Sequence, residues 1–221
     1  MIKIKNLDKS YKWESKNITV IYKDLNLDIN KWDFISILRT SGSWKTTLFN
    51  LISGLDDFES WELDVNTNLL SKMNNEQKTN FRWKNISFIF QQYNLIDNLT
   101  VAENIDLIIE LNKLKRRYDT KEILKIVWLE NKIDAYPYNL SWWEQQRVAV
   151  ARAFVWKTPI LLADEPTWNL DIENTKIIIE LIKKLHNDTN NTIVMITHDL
   201  EIAKEADKIY NLENHVLVEK K

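Results

Sequence analysis

Apolar and polar positions change period several times along the chain, and each change marks a predicted element. MIKIKNL (1–7), ITVIYKDLNLDI (18–29), DFISIL (33–38), ISFIF (86–90), PILLAD (159–164), TIVMIT (192–197) and DKIYNL (207–212) read as short strands. PILLAD and TIVMIT are apolar almost throughout rather than alternating, as parallel strands covered on both faces should be. Helical periodicity fits TTLFNLIS (46–53), VAENIDLIIELNKL (101–114), TKEILKIVWLE (120–130), SWWEQQRVAVARAFV (141–155), ENTKIIIELIKKLHN (173–187) and LEIAKEA (200–206). Strands and helices alternate at both ends of the chain, which predicts an α/β layered core. From about 95 to 157 the pattern is helical only, which predicts a helical insert in one compact domain.

Composition narrows the classes. The 221 residues suffice for one well-buried domain. A net charge of −2 gives no basic field for nucleic acid. There are no cysteines, so no disulfide framework is expected. The start, MIKIKNLDKSY, alternates apolar and charged residues and is no signal peptide. No run approaches the roughly 18 apolar residues of a membrane span. The expectation is a soluble, cytosolic chain. One pair of counts is abnormal: glycine occurs 2 times and tryptophan 10 times, whereas average usage predicts roughly 15 glycines.

DFISIL runs into RTSGSWKTTLFNLISG: a strand, a small-residue loop and a helix opening with Lys45, Thr46 and Thr47. Loop N–H groups and a helix N-terminus suit an anion. The phosphate-loop pattern G-x-x-x-x-G-K-S/T would need glycine at 39 and 44, where Arg39 and Trp44 stand. Taken alone, the stretch fits a lysine at the start of an ordinary amphipathic helix equally well. PILLADEPTWNLD shifts the balance, because its apolar strand ends in Asp164 and Glu165. One carboxylate there can serve Mg²⁺ and the second can activate water, although acidic pairs at strand ends are often only solvated. TIVMIT ends at His198, the edge of the same predicted sheet.

Together these residues resemble the ATP-binding subunit of ABC transporters over essentially the whole chain. Tyr11 matches the adenine-stacking aromatic. Arg39, Thr40, Ser41, Gly42, Ser43, Trp44, Lys45, Thr46 and Thr47 match the Walker A loop, and Gln91 in FIFQQYNL matches the Q-loop. Leu140, Ser141, Trp142, Trp143 and Glu144 match the signature, ILLADE Walker B, Asn169, Leu170 and Asp171 the D-loop, and His198 the switch histidine. The resemblance implies a P-loop NTPase (RecA-like) core with an N-terminal antiparallel β-subdomain and an inserted helical subdomain. That is one domain over 1–221, with its core at 1–94 and 158–221 and its helical part at 95–157. It also implies ATP and Mg²⁺ as ligands, a head-to-tail homodimer, and separate membrane permeases. The expected location is cytoplasmic, peripheral on the inner face of the cell membrane. In the implied site Lys45 holds phosphate, and Thr46, Gln91 and Asp164 serve Mg²⁺. Glu165 is the general base, His198 stabilises the transition state, and the signature completes the partner's site.

FIFQQYNL, TVAENI and DEPTWNLD look most like the lipoprotein-release and macrolide-export branch. A regulatory ATPase of a cell-division membrane complex is close in sequence and stays open. A soluble ABC protein of translation or DNA repair would usually carry two cassettes or a coiled-coil insert, and neither is present.

Against the family pattern, the tryptophans stand at glycine positions: Trp44, Trp142, Trp143 and Trp168 within motifs, Trp32 and Trp61 in turns, Trp156 before Walker B. Trp13, Trp83 and Trp128 do so more loosely. Either the chain is a degenerate, inactive cassette, or UGA codons read as glycine in the source were translated as tryptophan. Every catalytic side chain is intact while only glycines are replaced, which favours the second account. Arg39, at the first Walker A glycine, and His215, at a common turn glycine, lie outside it.

Overall fold

The computed structural model describes residues 1–13, 17–38, 44–57 and 59–220. Two sheets carry the fold. The first is antiparallel and contains β1 (Ile2–Trp13), β2 (Asn17–Ile29), β4 (Glu59–Val65) and β5 (Asn68–Leu69), in the order β2-β1-β4-β5. The second contains β3 (Phe34–Leu38), β6 (Ile86–Ile89), β7 (Ile160–Asp164), β8 (Thr192–Thr197), β9 (Lys208–Glu213) and β10 (Val216–Lys220). Its order is β10-β9-β3-β8-β7-β6, parallel except for the terminal β9–β10 hairpin.

The helices are α1 (Trp44–Ile52), α2 (Asn75–Asn85), α3 (Val101–Asn112), α4 (Thr120–Ile126), α5 (Trp142–Phe154), α6 (Ile172–Thr189) and α7 (Leu200–Ala203). Three of them, α3, α4 and α5, lie between β6 and β7. Among the described residues no helix is long and apolar enough to cross a membrane.

The unbroken apolar runs explain the second sheet. In β7, Leu161 and Ala163 join one buried cluster, built largely on α3, α4, α5 and α6, while Ile160 and Leu162 join another, beneath α1 and the first sheet. In β8, Ile193 and Met195 divide from Val194 and Ile196 in the same way. Successive side chains of a strand point to opposite faces, and here both faces are dry. Burying each of these side chains other than Ala163 is worth about 1.5–3 kcal/mol.

Left-handed backbone answers the glycine shortage. Asn6, Asp24, Asn66, Asn94, Asn169, Asn190 and Asn214 all lie at positive φ, which asparagine and aspartate tolerate better than other side chains. Asn214 and His215, at φ 48° and 70°, form the two-residue turn between β9 and β10, the conformation of a type I′ hairpin. Two tryptophans are also left-handed: Trp32 at φ 71° and Trp128 at φ 55°.

Several elements differ from expectation. TKEILKIVWLE is helical only to Ile126, because the left-handed backbone at Trp128 cannot continue a helix. LEIAKEA is helical only over Leu200–Ala203. Trp61, expected in a turn, lies within β4. Helix α2 and strands β4 and β5 were not expected.

Candidate active site

Three adjacent parallel strands bring the motifs together. Leu38 at the end of β3 pairs with Thr197, and Ile196 of β8 pairs with Asp164 of β7. The residues that follow β8 and β7, His198 and Glu165, therefore emerge side by side, next to the end of β3 at Leu38. Ligands of open α/β sheets bind at this carboxyl edge.

Glu165 is the most constrained of them. It is 3% exposed and lies at φ 45°, a conformation costly for a side chain with a Cβ. Its N–H donates to the Ile196 carbonyl at 2.9 Å, extending the β7–β8 ladder by one rung. Its Oε2 accepts from the His198 N–H at 3.3 Å and meets His198 Nδ1 at 2.7 Å. An ionised carboxylate only accepts, so Nδ1 is the donor in this contact. The imidazole is half exposed, and the Trp168 indole meets it edge-on at 5.2 Å.

Asp164 ends β7 half-buried and Thr46 is exposed in the first turn of α1. A carboxylate and a hydroxyl are hard oxygen donors, the set Mg²⁺ uses when phosphates and water fill its remaining positions, so these residues fit the ion. Arg39, Thr40, Ser41, Gly42 and Ser43, with the side chains of Trp44 and Lys45, lie outside the described residues. Thr47 is buried, and its Oγ1 is 3.2 Å from the Tyr11 hydroxyl, so Tyr11 is placed against α1.

Gln91, just past β6, shares a 210 Å³ cleft with Gln92, Tyr93, Trp142, Trp168 and Asn169. Q-loop, signature and D-loop positions thus meet within one chain. Arg152 of α5 donates to the carbonyls of Tyr93 and Asn94 at 2.8 and 2.6 Å, tying the segment after Gln91 to the signature helix. Burial pushes Arg152 down to about 10, and it stays a cation at neutral pH. Gln146 of α5 donates to the Pro166 carbonyl beside Glu165. Sequence reading missed both tethers, since nothing in the local pattern pairs residues so far apart.

The signature forms a capped helix start. Ser141 is the N-cap of α5, and its N–H and hydroxyl both donate to Glu144 Oε2 at 2.8 Å. Burial opposes the Glu144 charge, but the bonds from Ser141 and the nearby Lys132 and Arg147 outweigh it and hold the carboxyl below its ordinary range. Leu140 is buried behind it. Trp142 is 65% exposed at the helix mouth, and Trp143 stacks under the Arg147 guanidinium at 4.4 Å. In the D-loop Asn169 is left-handed and Leu170 packs on the core. Asp171 caps α6 by accepting from the Asn174 N–H at 2.8 Å.

Known proteins match this arrangement. The profile of the ABC transporter family matches residues 22–168. The chain is 38% identical to the lipoprotein-releasing system ATP-binding protein LolD of Buchnera aphidicola (subsp. Acyrthosiphon pisum, strain APS), covering 97% of this chain and 95% of that protein. It is 36% identical to the ABC transporter ATP-binding protein YtrE of Bacillus subtilis (strain 168), covering 98% and 96%. A dimeric, post-hydrolysis structure of the ATP-binding cassette MJ0796 of Methanocaldococcus jannaschii, bound to ADP and Pi, superposes with TM-score 0.88 at 35% identity, covering 100% of this chain and 98% of that one.

Proposed function

Because the chain belongs to the ABC transporter family and is an ATP-hydrolysing nucleotide-binding subunit of that family, we propose that it works as a head-to-tail homodimer driving a separate membrane permease. The observation that carries the assignment of roles is the Glu165–His198 contact at the ends of β7 and β8, beside Asp164. Thr46 and Asp164 would hold Mg²⁺ with Gln91 reaching towards it, and the ion supplies charge neutralisation on the β- and γ-phosphates. Lys45 and the loop amides hold those phosphates, and Tyr11 takes the adenine. Glu165 accepts a proton from the attacking water. His198 in its imidazolium form, with Nδ1–H held by that carboxylate, donates through Nε2–H towards charge that develops on the γ-phosphate. Ser141 and the backbone of Trp142 and Trp143 complete the partner's site, with Leu140 and Glu144 behind them and Asn169, Leu170 and Asp171 lying across the dimer interface.

On this reading residues 1–94 and 158–221 form the core and 95–157 the helical subdomain, whose surface near 92–130 docks the permease. An apolar groove of 370 Å³ supports the docking role: Phe88, Phe90, Ile96, Leu107 and Ile108 line it where β6 meets α3. The subunit sits on the cytoplasmic face of the membrane and binds no nucleic acid. The lipoprotein-releasing relative supports an export-type permease. A permease with a large extracytoplasmic domain encoded beside this chain is the expected finding, and a division protein there would assign the regulatory role instead.

We also propose that the ten tryptophans stand in place of glycines. Support comes from the left-handed backbone at Trp32 and Trp128, where a Cβ is penalised, and from the Trp156 Nε1, which is buried without a hydrogen-bond partner. Restoring them raises the glycine count from 2 to 12, near the roughly 15 of average usage. The native protein's mass tests this: it should fall short by ten Trp→Gly replacements. A full-weight chain, or UGG codons at 44, 142 and 143, would make the indoles real and the cassette unable to close on ATP.

A further inference from the structure

The Tyr11 ring is held from three directions, by Thr47 of the Walker A stretch and by Lys9 and Asp56, which the motifs do not include. Lys9, two residues earlier on β1, is a buried lysine, 8% exposed. Its ammonium lies 4.6 Å from the Tyr11 ring centroid. The same ammonium donates to Asp56 Oδ1 at 2.8 Å and to the Asp57 carbonyl at 2.6 Å. The Tyr11 hydroxyl donates to the other oxygen of Asp56 at 2.5 Å. A phenol has one proton, so at Thr47 it must accept, and Thr47 Oγ1 is the donor over 3.2 Å.

These contacts cross from one sheet to another part of the fold. Tyr11 and Lys9 belong to the antiparallel sheet, Thr47 to α1, and Asp56 to the turn just beyond α1. The helix that opens on the phosphate loop is therefore bolted to the ring on both sides. An ammonium packed on a ring face also excludes any second occupant from that face.

We propose that Lys9 and Asp56 are positioning residues for the nucleotide base. They close one face of Tyr11, fix its plane relative to α1, and leave the opposite face as a platform for adenine at a set distance from the phosphates. The inference rests on Tyr11 being the adenine platform. A ring already immobilised gives up little freedom when the base stacks, so binding keeps energy that a loose ring would lose. At neutral pH the Tyr11 hydroxyl keeps its proton and the Asp56 carboxyl has lost its own. Burial and the bond to Asp56 push the Tyr11 hydroxyl up. Burial opposes ionisation of Asp56, but the bonds from Lys9 and Tyr11 prevail and lower it.

Lys9→Met, Asp56→Asn and Tyr11→Phe in the native chain test this, with KM and kcat for ATP, the inhibition constant of inorganic tripolyphosphate, and Tm measured for each. Tripolyphosphate reports the phosphate half of the site without a base. Lys9→Met is expected to raise KM for ATP about tenfold, about 1.4 kcal/mol, with the loss falling on KM rather than kcat. The tripolyphosphate constant should hold, and Lys9→Arg should restore most of the affinity. Tyr11→Phe keeps the ring and its burial, so it carries the test even if Lys9→Met folds poorly, and its KM should rise several-fold. A fall in Tm with an unchanged ratio of the two constants in all three variants overturns the proposal and leaves a plain structural staple. Tyr11→Ala separates the premise. If it raises KM while the other three do not, the platform stands without these supports. If it leaves KM unchanged, the platform itself is wrong, and the proposal with it.

Discussion

At the C-terminal ends of β7 and β8, Glu165 and His198 already touch, while at the start of α5 Ser141 holds only its own helix. The first region is assembled by sheet geometry: two dry parallel strands end in register, and a hydrogen bond from Glu165 to Ile196 carries the ladder past the edge. The second is an exposed helix mouth whose donors are met locally by Glu144. The Glu165–His198 pair is formed within one chain. The second region is a surface, and under the proposed mechanism it becomes a site only against a second copy. The difference teaches where each half is vulnerable: the first through its strands, the second through its helix cap and whatever stands at 142 and 143.

Removing the imaginary balance between the halves takes single substitutions. His198→Ala should lower kcat by about two to four powers of ten, the range of a positioned proton-handling group, with ATP affinity nearly kept. Phosphate release and nucleotide titration measure the two, and a loss under tenfold would make the Glu165 contact structural. Next in size, Leu161→Ala removes a fully buried side chain of β7 and should cost about 2–5 kcal/mol in denaturant unfolding. A cost near zero would mean the pre-assembled half does not rest on this sheet.

Ser141→Ala should cost only about 1 kcal/mol of stability, the usual worth of a helix cap, yet reduce dimer turnover while leaving monomer nucleotide binding intact. Equal loss of monomer binding would break the division of labour. The smallest effect is at acid pH. Asp56 is more acidic in the fold than in the unfolded chain, so its contribution is complete above the ordinary carboxylate value near pH 4 and is lost as pH falls through the folded value. The stability difference between the native chain and Asp56→Asn should be flat from about pH 8 to about pH 5 and shrink below that. A difference that grows on acidification would reverse the sign.

The covered strands and the amphipathic α6 were legible because burial on known faces leaves an apolar signature, as at Ile178, Leu181, Ile182 and Leu185. Strand β4 was not, because its alternating set, Leu63 and Val65, is interleaved with Glu62 and Asp64 and preceded in phase by Glu59, residues poor in strands. Helix α2 buries only Phe81 and Asn85 and shows no apolar stripe. Its local signs are the capping box of Asn74 and Gln77 and the charges of Glu76 in the first turn and Arg82 and Lys84 in the last. At the site the motifs and their order were readable, since each lies in a short contiguous stretch. The supports were not: Asp56 meets Tyr11 across 45 residues and Arg152 meets Tyr93 across 59, pairings that only the folded chain creates.

Glu165→Gln in the native chain tests the central claim most directly, because it keeps the side chain's size and removes only its basicity. ATP and Mg²⁺ should still bind, the subunits should accumulate as an ATP-bound dimer by light scattering, and phosphate release should stop. Full turnover in that variant would contradict the account.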